Sequence, residues 1–247
     1  MTNKLFTKQT VLMLLLLSTT VVLSGCGEAG VFHDYFVHPF SFLIVKLATF
    51  FGGSYGYAII AITLGVRFIL LPLVIKQTRS NKTMQEKMKV LKPEMDEVMA
   101  KYKGDKTPES QVAMQKELSA LYQKHGTSPF AAVSGCLPLL IQMPIFIALF
   151  YAIRQTPEIA THSFLWFELG SRDTPLAVIT IMMYFLQARI SLINVAPEQQ
   201  KQMKMLMYIT PIMMGMIAFT APSALALYWC VGAIFLVIQT LIIKRLT

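Results

Sequence analysis

The stretch AITLGVRFILLPLV, Ala61 to Val74, decides the fold. It belongs to an apolar run, residues 56 to 75, of about the length an α-helix needs to cross a hydrocarbon core roughly 30 Å thick. Yet it carries a permanent charge, Arg67. Arg67 lies about eight residues from the inner end of the run, which at about 1.5 Å per residue leaves some 12 Å of hydrocarbon between it and water. Snorkelling hardly spans that distance. An arginine facing lipid at mid-membrane costs from about 3 to more than 10 kcal/mol, so the expected surroundings are a protein-lined, hydrated cavity. Thr63 falls one turn back on the same helix face, and Pro72 removes the amide that would bond the carbonyl of Phe68.

The rest of the chain reads the same way. Of its 247 residues 55% are apolar and 14% charged, a composition too greasy for a water-soluble domain. The fold class is therefore an all-α polytopic membrane protein. Lys4 and Lys8 precede the run VLMLLLLSTTVVL (11–23), and LSGC (23–26) matches a bacterial lipobox. Residues 1–25 are read as a lipoprotein signal peptide and Cys26 as the lipidated first mature residue; an uncut signal anchor is the alternative. Cys136 and Cys230 lie in apolar segments and suggest neither disulfide nor metal site.

Five spans follow, at 56–75, 131–153, 174–192, 204–221 and 223–243. A lipidated Cys26 is outside, so the first span runs inward to Lys76, Arg79, Lys82, Lys87, Lys89 and Lys92. The inner side then takes the loop 76–130, the turn 193–203 and the tail 244–247, in agreement with the positive-inside rule. The outer side takes residues 26–55 and the loop 154–173. Within the former, YFVHPFSFLIVKLATFF (35–51) carries Pro39, Lys46 and His38, and a crossing there would reverse everything downstream. It is read as an outer-leaflet interfacial helix. FLWFELGSRDTP (164–175), with Trp166, is a second interfacial segment.

The loop 76–130 holds a narrow apolar seam at Met84, Met88, Leu91, Met95, Val98 and Tyr102, continued by Met114, Leu118 and Leu121. Between the two runs KGDKTP offers Gly104 as a C-cap, Thr107 as an N-cap and Pro108 as a first helical residue. A cytoplasmic helical hairpin is expected, its first helix kinked or divided by Pro93 near Lys92.

The spans also carry Ser134, Pro138 and Gln142 at four-residue spacing, Tyr184 with Gln187, and Tyr228 with Gln239. Each alone suits helix packing, and with Arg67 they suggest a polar groove. No span contains Asp, Glu or His, so a proton- or cation-coupled transporter lacks its titrating group. No serine has a histidine or lysine beside it in the spans and no HExxH occurs, which argues against an intramembrane hydrolase. A fixed positive charge between apolar walls suits a client that is acidic or polar at one end and hydrophobic at the other. Sixteen methionines, clustered at Met203, Met205, Met207, Met213, Met214 and Met216, fit varied apolar shapes, though core filling explains them equally.

GCLPLLIQMPIFIALFYAI (135–153), FLWFELGSRD (164–173), ITPIMMGMIAFTAPSALALYW (209–229) and TLGVRFILLPL (63–73) together resemble the YidC/Oxa/Alb membrane protein insertases. The lipobox and five spans match the Gram-positive form. The resemblance implies a non-enzymatic insertase and chaperone of integral membrane proteins, working with or without the Sec translocase and needing no cofactor. Implied partners are nascent membrane proteins, the Sec translocase, the ribosome through the hairpin or the basic tail, and the lipid bilayer, with no direct DNA binding. A hydrophilic groove centred on Arg67 is implied, with Gln142 from the second span and the aromatic pair Tyr228 and Trp229 from the last; Thr63 joins it by position. The implied location is the bacterial cell membrane, N-terminus outside and C-terminus inside. Where many relatives carry an asparagine shortly after the pair, this chain has Ala233 in CVGAIF. A small-anion transporter or channel using Arg67 is the rival reading, weakened by the lack of inverted repeats; a lipoprotein scaffold without client activity is the other.

Overall fold

A computed structural model describes residues 30, 32–104, 107–126, 137–193 and 197–246. The expected signal peptide, Cys26 and Ser134 lie outside the described residues.

A π-helical turn, His33–Val37, runs into helix α1, His38–Phe50, with Pro39 in its first turn. Val37, Ile44 and Ala48 are buried on one side of this segment, while Phe42, Leu43, Val45 and Phe50 stay exposed. The helix ends at a glycine pair: the amide of Gly53 donates to the carbonyl of Ala48, and Gly52 and Gly53 have φ of 65° and 91°. Left-handed backbone of this kind is what glycine supplies after a helix.

Helix α2, Tyr55–Lys101, is continuous over 47 residues. Both Pro72 and Pro93 lie inside it, so Pro93 does not divide the helix, and no break falls between the expected span and the loop after residue 75. At about 1.5 Å per residue it is some 70 Å long, more than twice a hydrocarbon core. Helix α3 is Pro108–Lys124, α4 is Leu137–Gln155 with Pro144 inside, and α5 is the short turn Pro157–Ala160. Two strands follow, β1 (Ser163–Phe164) and β2 (Phe167–Glu168), paired antiparallel with Phe164 opposite Phe167. This ribbon is the one departure from the all-α expectation among the described residues. Helices α6 (Thr174–Leu192), α7 (Pro197–Thr220) and α8 (Ser223–Leu246) complete the chain.

Among the described residues, three helices are long and apolar enough to cross a membrane, namely Tyr55–Lys101, Thr174–Leu192 and the stretch Ser223–Arg245 of α8; Met207–Thr220 is a shorter apolar helix.

The chain divides into two compact units. The first comprises residues up to Arg67 together with Pro144–Arg245. Its core is rich in small side chains, with Ala58, Ala148, Ala152, Ala177, Ala224 and Ala226 all buried. Lipid offers apolar side chains no reason to leave it, so helices there associate through close van der Waals fit, which small residues permit. Gly215 of α7 illustrates this: a Cβ on it would come within 2.8 Å of the Ile181 side chain on α6. The β-ribbon seats against α2, where a Cβ on Gly56 would approach the Phe164 ring to 2.1 Å.

Helix ends in this unit are satisfied by specific groups. Asp173 caps α6, accepting from the amide of Leu176 at 2.7 Å. The first amides of α8, on Ser223 and Ala224, donate to the carbonyls of Ser171 and Leu169. At the other end of α6, the Lys244 ammonium donates to the carbonyls of Ile190, Ser191 and Ile193.

The second unit comprises Phe68–Met143 with the last two residues. Here Met84, Met88, Met95, Val98 and Tyr102 are half-buried and Leu91 is fully buried, as are, in part, Met114, Leu118 and Leu121. Thr107 caps α3, its side chain accepting from the Ser110 amide at 3.3 Å, with Pro108 first in the helix. Glu94 pairs with Lys124 and His125, each at 3.0 Å. Glu117 accepts from Lys101 and, at 3.0 Å, from the Tyr102 hydroxyl. The pairings 94 with 124 and 101 with 117 step in opposite directions, so the two segments run antiparallel.

Candidate functional site

Arg67 projects from α2 in the first unit and is half-buried. Its guanidinium lies against α8 at Gly232, where a Cβ would stand 3.2 Å from Nη2 and 4.0 Å from Nε. Tyr228, one turn earlier on α8, and Tyr184, on α6, are within electrostatic reach of it. Three helices therefore bring together a cation and two phenols. Away from water such charge–dipole interactions are stronger than at a solvated surface.

The other expected site residues are placed less directly. Thr63 is 1% exposed, and its hydroxyl donates to the carbonyl of Ile59 at 2.6 Å. A hydroxyl spent on its own helix and sealed from the surface offers a client nothing directly. Tyr228 and Trp229 are 4% and 2% exposed. Both pack on Phe146 of α4, with ring centroids 6.1 and 6.5 Å away and the Trp229 ring nearly parallel to it. The indole Nε1 of Trp229 is buried without a hydrogen-bond partner among the described residues. The aromatic pair is thus packed inside the first unit rather than set on its surface. Gln142 is half-buried and belongs to the second unit. Gln187, grouped with Tyr184 by spacing, donates instead to Ser191 on its own helix.

Several contributors escaped the sequence reading. Gly232 is four residues after Tyr228 and so shares its face of α8; its one sequence signal is a glycine inside an apolar helix, which does not say what the glycine faces. Thr180 is fully buried, and its hydroxyl reaches both the Leu176 carbonyl at 2.8 Å and, across to α8, the Ala226 carbonyl at 3.3 Å. Arg189, a second arginine in an apolar run, is exposed in the last turn of α6. A terminal position lets its side chain reach polar surroundings, unlike that of Arg67.

An arginine stays protonated at any physiological pH, so the chemistry this arrangement offers is that of a fixed cation, able to attract an anionic or polar group but not to shuttle protons. The class of protein so defined is a helical, multi-pass membrane protein with a fixed internal cation. The family profile described as 60Kd inner membrane protein matches residues 46–247. The chain is 46% identical over 245 residues to the membrane protein insertase YidC 2 of Listeria monocytogenes, covering 97% of this chain and 88% of that protein. It is 44% identical over 244 residues to the insertase YidC of Oceanobacillus iheyensis, covering 93% and 94% of the two chains. With the insertase MisCB of Bacillus subtilis it shares 42% identity over 235 residues, 92% and 85% of the two. The chain belongs to the YidC/Oxa/Alb family of membrane protein insertases and is a multi-pass protein of the bacterial membrane.

Proposed function

We propose that this insertase receives the polar leading part of a nascent membrane protein in a groove centred on Arg67, whose charge attracts acidic residues of the client. The observation that carries the reading is a half-buried arginine in the middle of an apolar helix, held beside Gly232, Tyr228 and Tyr184. A charge in that position costs too much to be kept for packing alone. Tyr228 flanks the arginine and packs with Trp229 on Phe146, Thr63 stands one turn before it on α2, and a client-facing role for Gln142 rests on the family resemblance alone. The client's apolar segment then passes into lipid, driven by hydrophobic transfer and the membrane potential. Exposed Met182, Met213 and Met216 suit such a path, since unbranched thioethers adapt to varied surfaces.

In this reading the mature chain crosses the membrane five times. Cys26 is lipidated outside, the exposed apolar side of α1 and the Leu165–Trp166 tip rest on the outer leaflet, and the paired segments of α2 and α3 form a cytoplasmic hairpin. The hairpin or the basic tail meets the ribosome, and the Sec translocase shares part of the client load.

The test compares Arg67→Ala and Arg67→Lys on insertion of a single-span client with an acidic N-terminal tail. Insertion retained in Arg67→Lys and lost in Arg67→Ala is expected. Equal loss in both would sink the charge mechanism, and full activity in Arg67→Ala would reduce the groove to a hydrated cavity.

A further inference from the structure

Tyr228 and Gly232 lie one turn apart on the same face of α8, and both address Arg67. A bulky ring followed, one turn on, by a missing side chain makes a notch in the helix surface. The guanidinium occupies that notch: the space a Gly232 Cβ would claim is 3.2 Å from Nη2. Such an approach is closer than ordinary van der Waals contact, so one added methyl shifts the atom it meets by a few tenths of an ångström. That atom is the far end of a long, flexible side chain, whereas at Gly56 the corresponding obstacle is a packed aromatic ring. Gly232 is therefore replaceable without unseating the fold, at the cost of moving the charge.

We propose that Gly232 is a positioning residue for Arg67, setting how far the guanidinium reaches and hence how strongly the insertase favours acidic over neutral clients. The proposal rests on Arg67 engaging acidic clients. It also explains a glycine that helix energetics disfavours, since alanine is the better helix former. Ala233, the next residue, is fully buried and carries no polar side-chain atom that could compete for the guanidinium.

The test is a cycle of Gly232→Ala in wild-type, Arg67→Lys and Arg67→Ala backgrounds. It measures insertion of a client with one acidic residue in its leading tail, and of the same client with asparagine there. In the wild-type background Gly232→Ala is expected to lower insertion of the acidic client at least about threefold. The asparagine client and the thermal stability of the purified protein stay unchanged or improve. In the Arg67→Lys and Arg67→Ala backgrounds, where no Nη2 exists for the methyl to meet, Gly232→Ala adds nothing. Equal loss on both clients, or a loss that persists without Arg67, overturns the assignment and makes Gly232 a packing residue. Arg67→Ala impaired on the acidic client while Gly232→Ala is not overturns this inference alone. An unimpaired Arg67→Ala overturns both the charge mechanism of the groove and this inference.

Discussion

At the scale of single residues, the decisive features are places where a side chain is absent or a polar group has a definite partner. Gly56 leaves room for the Phe164 ring at 2.1 Å from where its Cβ would be. Gly56→Ala is expected to destabilise the first unit by about 1–3 kcal/mol through overpacking, read as a lower denaturation midpoint in detergent. Thr180 bonds across to α8 at the Ala226 carbonyl, and Thr180→Val removes that bond at nearly constant volume. Its expected cost is about 0.5–1.5 kcal/mol, the range of such interhelical bonds in membranes, measured in the same way. Arg67 was legible from sequence because a charge in an apolar run is conspicuous. Gly232 and Thr180 were not, because their meaning comes from a neighbouring helix: Gly232 faces Arg67, and the second acceptor of Thr180 lies on α8. Thr63 stands one turn before Arg67 by spacing, and spacing says nothing about its hydroxyl, which turns back to the Ile59 carbonyl.

At the scale of elements, periodicity and capping chemistry carry most of the fold. The run 174–192 coincides with helix α6, and Thr107 and Pro108 open α3 as cap and first residue. The length of α2 was less legible. Pro93 is tolerated inside it, and nothing local marks where the membrane part stops. The short ribbon at 163–168 was also missed, since each of its strands is two residues long and has no readable alternation. The pairing of α2 with α3 makes a pH prediction. Hydrogen bonding from Lys124 holds the Glu94 carboxyl below its ordinary value of 4.5, and hydrogen bonds from Lys101 and Tyr102 do the same for Glu117. Both groups have folded values below their unfolded ones, so their contribution is present above about pH 4.5 and fades as pH falls through the lowered values. The protection of α3 amides against hydrogen exchange, taken relative to the intrinsic rate at each pH, is expected to fall on acidification in this window, and Glu94→Gln with Glu117→Gln to remove most of that change. An unchanged pH response in the double variant would mean that the apolar seam alone holds the pair.

At the scale of the whole molecule, the helical, multi-pass class was legible in the composition and the long apolar runs, and the family in long motifs that occur in order. What the molecule does with Arg67 is set by its surroundings, three helices deep, which no linear pattern encodes. The central claim is that a client's acidic leading part meets the guanidinium. The most direct measurement is site-specific photo-crosslinking to a stalled nascent chain from position 184, beside Arg67 on α6, with position 182 on the same helix, exposed to the surroundings, as comparison. The account predicts adducts from position 184 to the client's polar leading segment that fall sharply in Arg67→Ala and for the asparagine client, while position 182 captures chiefly the apolar segment. Adducts to the polar segment from position 182 alone, or a yield at 184 indifferent to Arg67 and to client charge, would contradict it.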